Sequence, residues 1–301
     1  MTTNTRAVHT ATVIRAIRAA TQWRLLLLWA LLLSLPTAIV ALPLWRSLAA
    51  ILDHSIHAQA WADHFSAVMF GDTMGVLTQG SFAWFGATFL LGLLLTLLLS
   101  PFLNGMLVGS GRAARTLGFG ELLQCGIYEY GRMFRVMLWS ILPYLVVIAA
   151  AGAGFHWADK VGDHAVLESK ADMASHAVFW LLGILWIVAQ TVVESTRGAF
   201  IADTRLRSAT RAFGRAWVQL LRRPGSSLIY YVLISLVGYA AAFGFGLARV
   251  HIPAVGTLGW LLAMLMTQLV VIAVAWAHVA RVFALAEVAR SMSPPSVPPA
   301  L

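Results

Sequence analysis

Asp53, His57 and His64 recur at steps of four and seven, with His54 beside the first of them. If that stretch is helical, the three fall on one face. A carboxylate and imidazoles so placed can hold a divalent metal, and imidazole is also the side chain that titrates nearest neutral pH. His156, Asp159 and Asp163 offer similar groups further on. A plainer account competes with both ideas. These stretches are short of Lys and Arg, so His and acids carry the polarity that a solvated surface needs. No HExxH or other compact metal signature occurs, and the single cysteine, Cys125, offers neither a disulfide nor a cysteine-based zinc site.

A second group of residues bears on anions. Between Glu194 and Ser227 lie Arg205, Arg207, Arg211, Arg215, Arg222 and Arg223. As a helix, this segment puts Leu206, Ala209, Phe213, Ala216, Trp217, Leu220 and Leu221 on one face and Arg207, Arg211, Arg215 and Arg222 on the other, until Pro224 and Gly225 stop it. A basic amphipathic helix beside membrane spans lies in the headgroup layer, where its arginines meet anionic lipid headgroups. Simple positive-inside anchoring accounts for the same residues.

Asn104, Gln190, Glu194, Gln268 and His278 fall inside or near apolar segments. Ionisable groups in spans are costly and are functional suspects by default. Glu194 has Arg197 three residues on, which predicts an ion pair along one helix, and His278 lies close to Arg281. Gln190 and Gln268 are expected to hydrogen-bond across helices. No span carries the run of acids expected for a proton-coupled pump. Enzyme signatures are missing: there is no GxSxG, no Walker loop, no dinucleotide GxGxxG and no HExxH. The sequence leans away from an enzyme.

The elements that must position these residues follow from composition. The 301-residue chain is 60% hydrophobic and only 11% charged, and its mean hydropathy is +0.80. Soluble domains carry about 25% charged residues, so this is a membrane protein. Its net charge of +9 gathers at the ends of apolar runs, which argues against nucleic acid as a partner. Six spans are expected, at about 25–45, 81–108, 136–155, 177–193, 228–248 and 258–280. Residues 1–24 read as a cytoplasmic amphipathic lead-in, 25–290 as the membrane domain and 291–301 as a disordered Pro-rich tail. A signal peptide is the rival reading of the start, but the apolar run continues to Trp45 without a small-x-small cleavage site. Pro101 is expected to kink the second span or turn it back, and Gly105 and Gly109 to admit a neighbouring helix. Residues 110–135 form a second interfacial amphipathic helix, with Leu122, Ile127, Tyr130 and Met133 on one face and Glu129 and Arg132 facing away. The four segments expected inside carry net charges of +4, +2, +5 and +1, against −2, −2 and +1 outside, which puts both termini in the cytoplasm.

The order span, small-residue exit, amphipathic helix, span occurs at 81–155 and again at 177–248, a possible parallel repeat. The unit NGMLVGSGRAARTLGFGELL, running into an amphipathic helix and a new span, resembles one in six-helix bacterial inner-membrane proteins. Over about residues 81–290 the layout is similar to the membrane domain attached to some glycerophosphodiester phosphodiesterases. That resemblance implies architecture and no catalytic residue. The expectation is therefore an all-α, multi-pass protein of the bacterial inner membrane, with six transmembrane helices and two interfacial amphipathic helices on the cytoplasmic side. It is a non-enzymatic accessory or scaffold component that packs against a partner membrane protein or a second copy. The alternatives are a transporter or lipid-handling protein, and an outer-face metal-binding or pH-sensing protein.

Overall fold

A computed structural model describes residues 10–52, 67–113, 115–164, 168–252 and 256–292. Every regular element among them is helical: α1 (Thr10–Ala19), α2 (Trp23–Leu52), α3 (Ala67–Arg112), α4 (Phe119–His164), α5 (Glu168–Ala202), α6 (Ala209–Arg222), α7 (Pro224–Val250) and α8 (Gly256–Met292). All except α1 and α6 are long and apolar enough to cross a membrane, which makes six candidate spans. The shortest of these, α7, is 27 residues long. At 1.5 Å per residue it extends about 40 Å, more than the ~30 Å hydrocarbon core. Large apolar side chains such as Val146, Ile148, Trp180, Leu236 and Phe243 stand exposed along the spans. In water such a surface would aggregate, whereas lipid tails solvate it.

α3 begins at Ala67 and takes in residues 67–80, an outer stretch whose pattern reads as helical for much of its length. Of the two expectations at Pro101 the re-entrant turn is absent, since α3 runs through it as one helix. The helices depart from the sequence expectations in two further places. Residues 119–164 form one helix, so the amphipathic stretch expected over 110–135 runs without a break into the third span and is no separate helix. α5 carries on past Glu194 to Ala202, and the basic helix starts at Ala209, after Leu206. Ser208 caps α6 by accepting from the Arg211 amide at 3.4 Å. Pro224, at the first turn of α7, removes an amide that α6 would need to continue. The two halves of the possible repeat are thus built differently: α4 is continuous where α6 and α7 are broken.

The chain divides into two compact units, Leu28–Ser100 and Met1–Leu27 with Pro101–Leu301. Within the first, α2 and α3 approach at Gly92, where an added Cβ would lie 2.7 Å from Val40 and 3.3 Å from the Pro36 carbonyl. Among the described residues, the buried charged side chains Glu129, Glu194 and Arg281 all lie in the second unit. Its helices come close wherever small residues face each other. The Gly198 position on α5 lies against the Ala286 backbone of α8, Gly238 of α7 against Ala277 of α8, and Gly109 of α3 against Cys125 of α4. α1 lays Val13 and Ala16 inward and packs on α8; just past its end Ala20 is buried and Trp276 Nε1 donates to Thr21 Oγ1 at 3.2 Å.

Candidate functional site

Close packing of α5, α7 and α8 creates a buried polar centre, joined by the part of α3 after Pro101. Glu194 on α5 is 1% exposed. Its carboxylate accepts from Arg281 Nε at 3.0 and 2.9 Å and lies 2.9 Å from His278 Nδ1. His278 and Arg281 are three residues apart on α8, so both reach across from one face. Arg281 Nη1 also donates to Ser235 Oγ on α7 at 3.1 Å, and its guanidinium lies 5.1 Å from the Tyr231 ring centroid. The other ring nitrogen of His278, Nε2, is 3.1 Å from Asn104 Oδ1 on α3. Residues from four helices are therefore joined in one network around the Glu194 carboxylate. Polar side chains thus face both ring nitrogens of His278, the Glu194 carboxylate at Nδ1 and the Asn104 amide at Nε2.

Glu194, Asn104 and His278 were legible in the sequence as suspects, but their partners were not. Arg197 was the expected partner of Glu194; among the described residues it makes no ion pair, and Arg281, 87 residues away, takes that place. Arg197 lies in the same charge field beside Tyr144. The signal that points to Arg281 is the pairing of His278 with a cation one turn on, opposite a carboxylate that cannot remain buried alone.

A second buried cluster corrects the reading of residues 110–135. Glu129, expected on the solvated face, is 8% exposed and joins Arg112 at 2.6 Å to Arg132 at 2.7 Å. The seating of Gly105 and Gly109 on Gly126 and Cys125 turns that side of α4 inward, and Ile127 and Tyr128 outward. Arg112 Nε also donates to the Phe200 carbonyl at 2.8 Å, and Arg290 reaches the Ile201 carbonyl at 3.4 Å. Both cap the free carbonyls and negative dipole end of α5.

Beyond this capped end lies the arginine surface. Arg205 and Arg207 stand exposed on the turn before α6, and Arg211, Arg215 and Arg222 stand exposed along it. Arg223 is half-buried at the break between α6 and α7. Arg205, Arg211, Arg215 and Arg222 share a groove of about 930 Å³ walled by Ala199, Val218 and Met292. Arg205, Arg207, Arg211 and Arg215 also line an adjoining concavity of about 430 Å³. Asp203 is the one acid in either lining. It receives Arg215 Nη1 at 2.7 Å and the Arg205 amide at 2.9 Å, and Arg215 holds its carboxyl below the ordinary aspartate range.

α6 has three faces where two were expected. Ala209, Ala212, Ala216, Gln219 and Leu220 are buried against protein, and Gln219 Nε2 donates to the Leu285 carbonyl at 3.2 Å. Leu221, expected on the packed face, is exposed, and so in part is Trp217. The reason is that α5 and α8 take up the alanine side, leaving the bulky residues on the flank.

The candidate metal ligands Asp53, His54, His57 and His64 lie outside the described residues. Among the described residues no group of three or more His, Cys, Asp or Glu side chains gathers to hold a metal, and His156, Asp159 and Asp163 form none. Compared with known protein families, curated proteins and solved structures, the chain finds no match.

Proposed function

We propose that the chain is a non-enzymatic component of the bacterial inner membrane, an accessory or scaffold subunit, set with the α6 end at the cytoplasmic face and engaging anionic headgroups there. One observation carries this: four arginines converge on a single groove whose one acid is already held by Arg215. The remaining cations need anions, and each Arg at an anionic membrane surface contributes on the order of 1 kcal/mol. The buried centre supports a scaffold, since its carboxylate is held by His278 and Arg281 of α8, which in turn reach Asn104 of α3 and Ser235 of α7 and so tie those helices together. The likeness in layout to phosphodiesterase membrane domains belongs to the same proposal, as kinship of architecture without an activity.

Native mass spectrometry of the protein released directly from its membrane tests both halves. Anionic phospholipid should be retained over zwitterionic lipid, with a stoichiometric partner or second copy. The Arg211→Gln/Arg222→Gln variant should lose the lipid preference. A lone monomer with no charge preference among its lipids overturns the reading.

A further inference from the structure

A third concavity, of about 580 Å³, opens between α4 and the start of α6. Its α4 wall is Arg135, Leu138, Trp139 and Leu142, a stripe at steps of three, four and seven that runs down one side of the helix. Arg207 and Thr210 face it from the α6 side. No acid lines it, and among the described residues neither Arg135 nor Arg207 forms an ion pair. Trp139 is held in place by stacking on Phe213 of α6, with ring centroids 5.5 Å apart. Leu138 and Leu142 are each 48% exposed, so the apolar wall is open.

We propose that this slot binds one phospholipid, its phosphate between Arg135 and Arg207 and an acyl chain along Leu138, Trp139 and Leu142. The vertical order of the stripe selects this ligand. Charge is at the head and apolar surface follows for about 10 Å along the helix axis, the depth over which a lipid passes from phosphate to hydrocarbon. Guanidinium forks match phosphate oxygens bidentately, and Thr210 adds a hydroxyl. A Trp at the headgroup boundary is at home there. A free phosphate ion would use the arginines and leave the apolar wall idle. The volume suits a bound headgroup and the start of one chain.

The proposal rests on the reading that the α6 end meets the headgroup layer, and the test separates the two. Detergent-exchanged protein is titrated by native mass spectrometry with phosphatidylglycerol, with diacylglycerol of the same chains, and with inorganic phosphate. One phosphatidylglycerol should bind at least tenfold more tightly than diacylglycerol. The Arg135→Gln/Arg207→Gln variant should lose that adduct, Arg135→Lys should keep most of it, and Trp139→Ala should weaken phosphatidylglycerol without changing phosphate. Equal binding of diacylglycerol overturns the phosphate contact. Phosphate that displaces the lipid, with Trp139→Ala neutral, makes this a free-anion site and overturns the lipid. If Arg211→Gln/Arg222→Gln abolishes general anionic preference while this single adduct survives, the two surfaces are separate. If only the slot variant has an effect, the groove reading fails and the slot stands. Both arginines are exposed, so thermal unfolding of the variants should match wild type; a large loss of stability would assign them a structural role instead.

Discussion

Glu194→Ala should be the most damaging single change in the described part of the molecule. The carboxylate it removes is 1% exposed and neutralises Arg281, whose side chain is 7% exposed. With Glu194 gone, Arg281 keeps the Ser235 hydroxyl at 3.1 Å and the face of Tyr231, and His278 keeps Asn104. Neither substitutes for a counter-charge, and the guanidinium stays buried. Breaking one partner of a buried pair costs about 3–5 kcal/mol. At ~1.4 kcal/mol per tenfold, that is roughly two to three and a half powers of ten in the unfolding equilibrium. Glu194→Gln fills the same volume and keeps an acceptor for Arg281 Nε, so about 2–3 kcal/mol is expected, near the value of a hydrogen bond to a charged group. Glu194→Leu with Arg281→Met removes both charges and should cost less than Glu194→Ala alone. The assay is denaturant-linked unfolding in mixed micelles, followed by circular dichroism and extrapolated linearly. Two results would refute the reasoning: Glu194→Ala within ~0.5 kcal/mol of wild type, or a double variant whose cost equals the sum of its single changes.

Gly238→Ala should destabilise by about 1–3 kcal/mol, because its new Cβ would overlap the Cβ of Ala277, and the same unfolding assay reads it. Gly152→Ala is the matched control; a Cβ there meets nothing within 4 Å, and the helix should be unchanged or slightly firmer. The Asp203 carboxyl is held below its ordinary value of about 3.9. The stabilisation it gives the turn before α6 is therefore full above that value and lost as pH falls through the lower, folded one. Stability should be indifferent to this group between pH 5 and 7, and a loss there that Asp203→Asn abolishes would refute the assignment. The same Asp203→Asn change frees Arg215, so retention of anionic lipid at neutral pH should rise.

Several features were legible because they are properties of the chain taken a turn at a time. A span needs about 20 apolar residues in a row, so six could be counted without knowing what they touch. Pro224 ends α6 by local chemistry alone. The clustering of Arg205, Arg207, Arg211 and Arg215 followed from spacing, and the suspicion attached to Glu194 and His278 followed from polarity in an apolar setting.

What tertiary structure decided is which of these residues meet. In sequence Glu194 had one cation in reach, Arg197; in the fold the contact of Gly198 with Ala286 brings α8 close enough for Arg281 and His278 to take the carboxylate. Glu129 turned inward for the same kind of reason, since Gly105 and Gly109 seat α3 on its side of α4 and Arg112 meets it there. The slot between Arg135 and Arg207 exists because α6 folds back onto α4 through Trp139 and Phe213. Hydropathy and helical period are short-range, and they place a side chain on a face. Whether that face meets lipid, water or another helix depends on where small residues let backbones close together, and only the packed chain settles that.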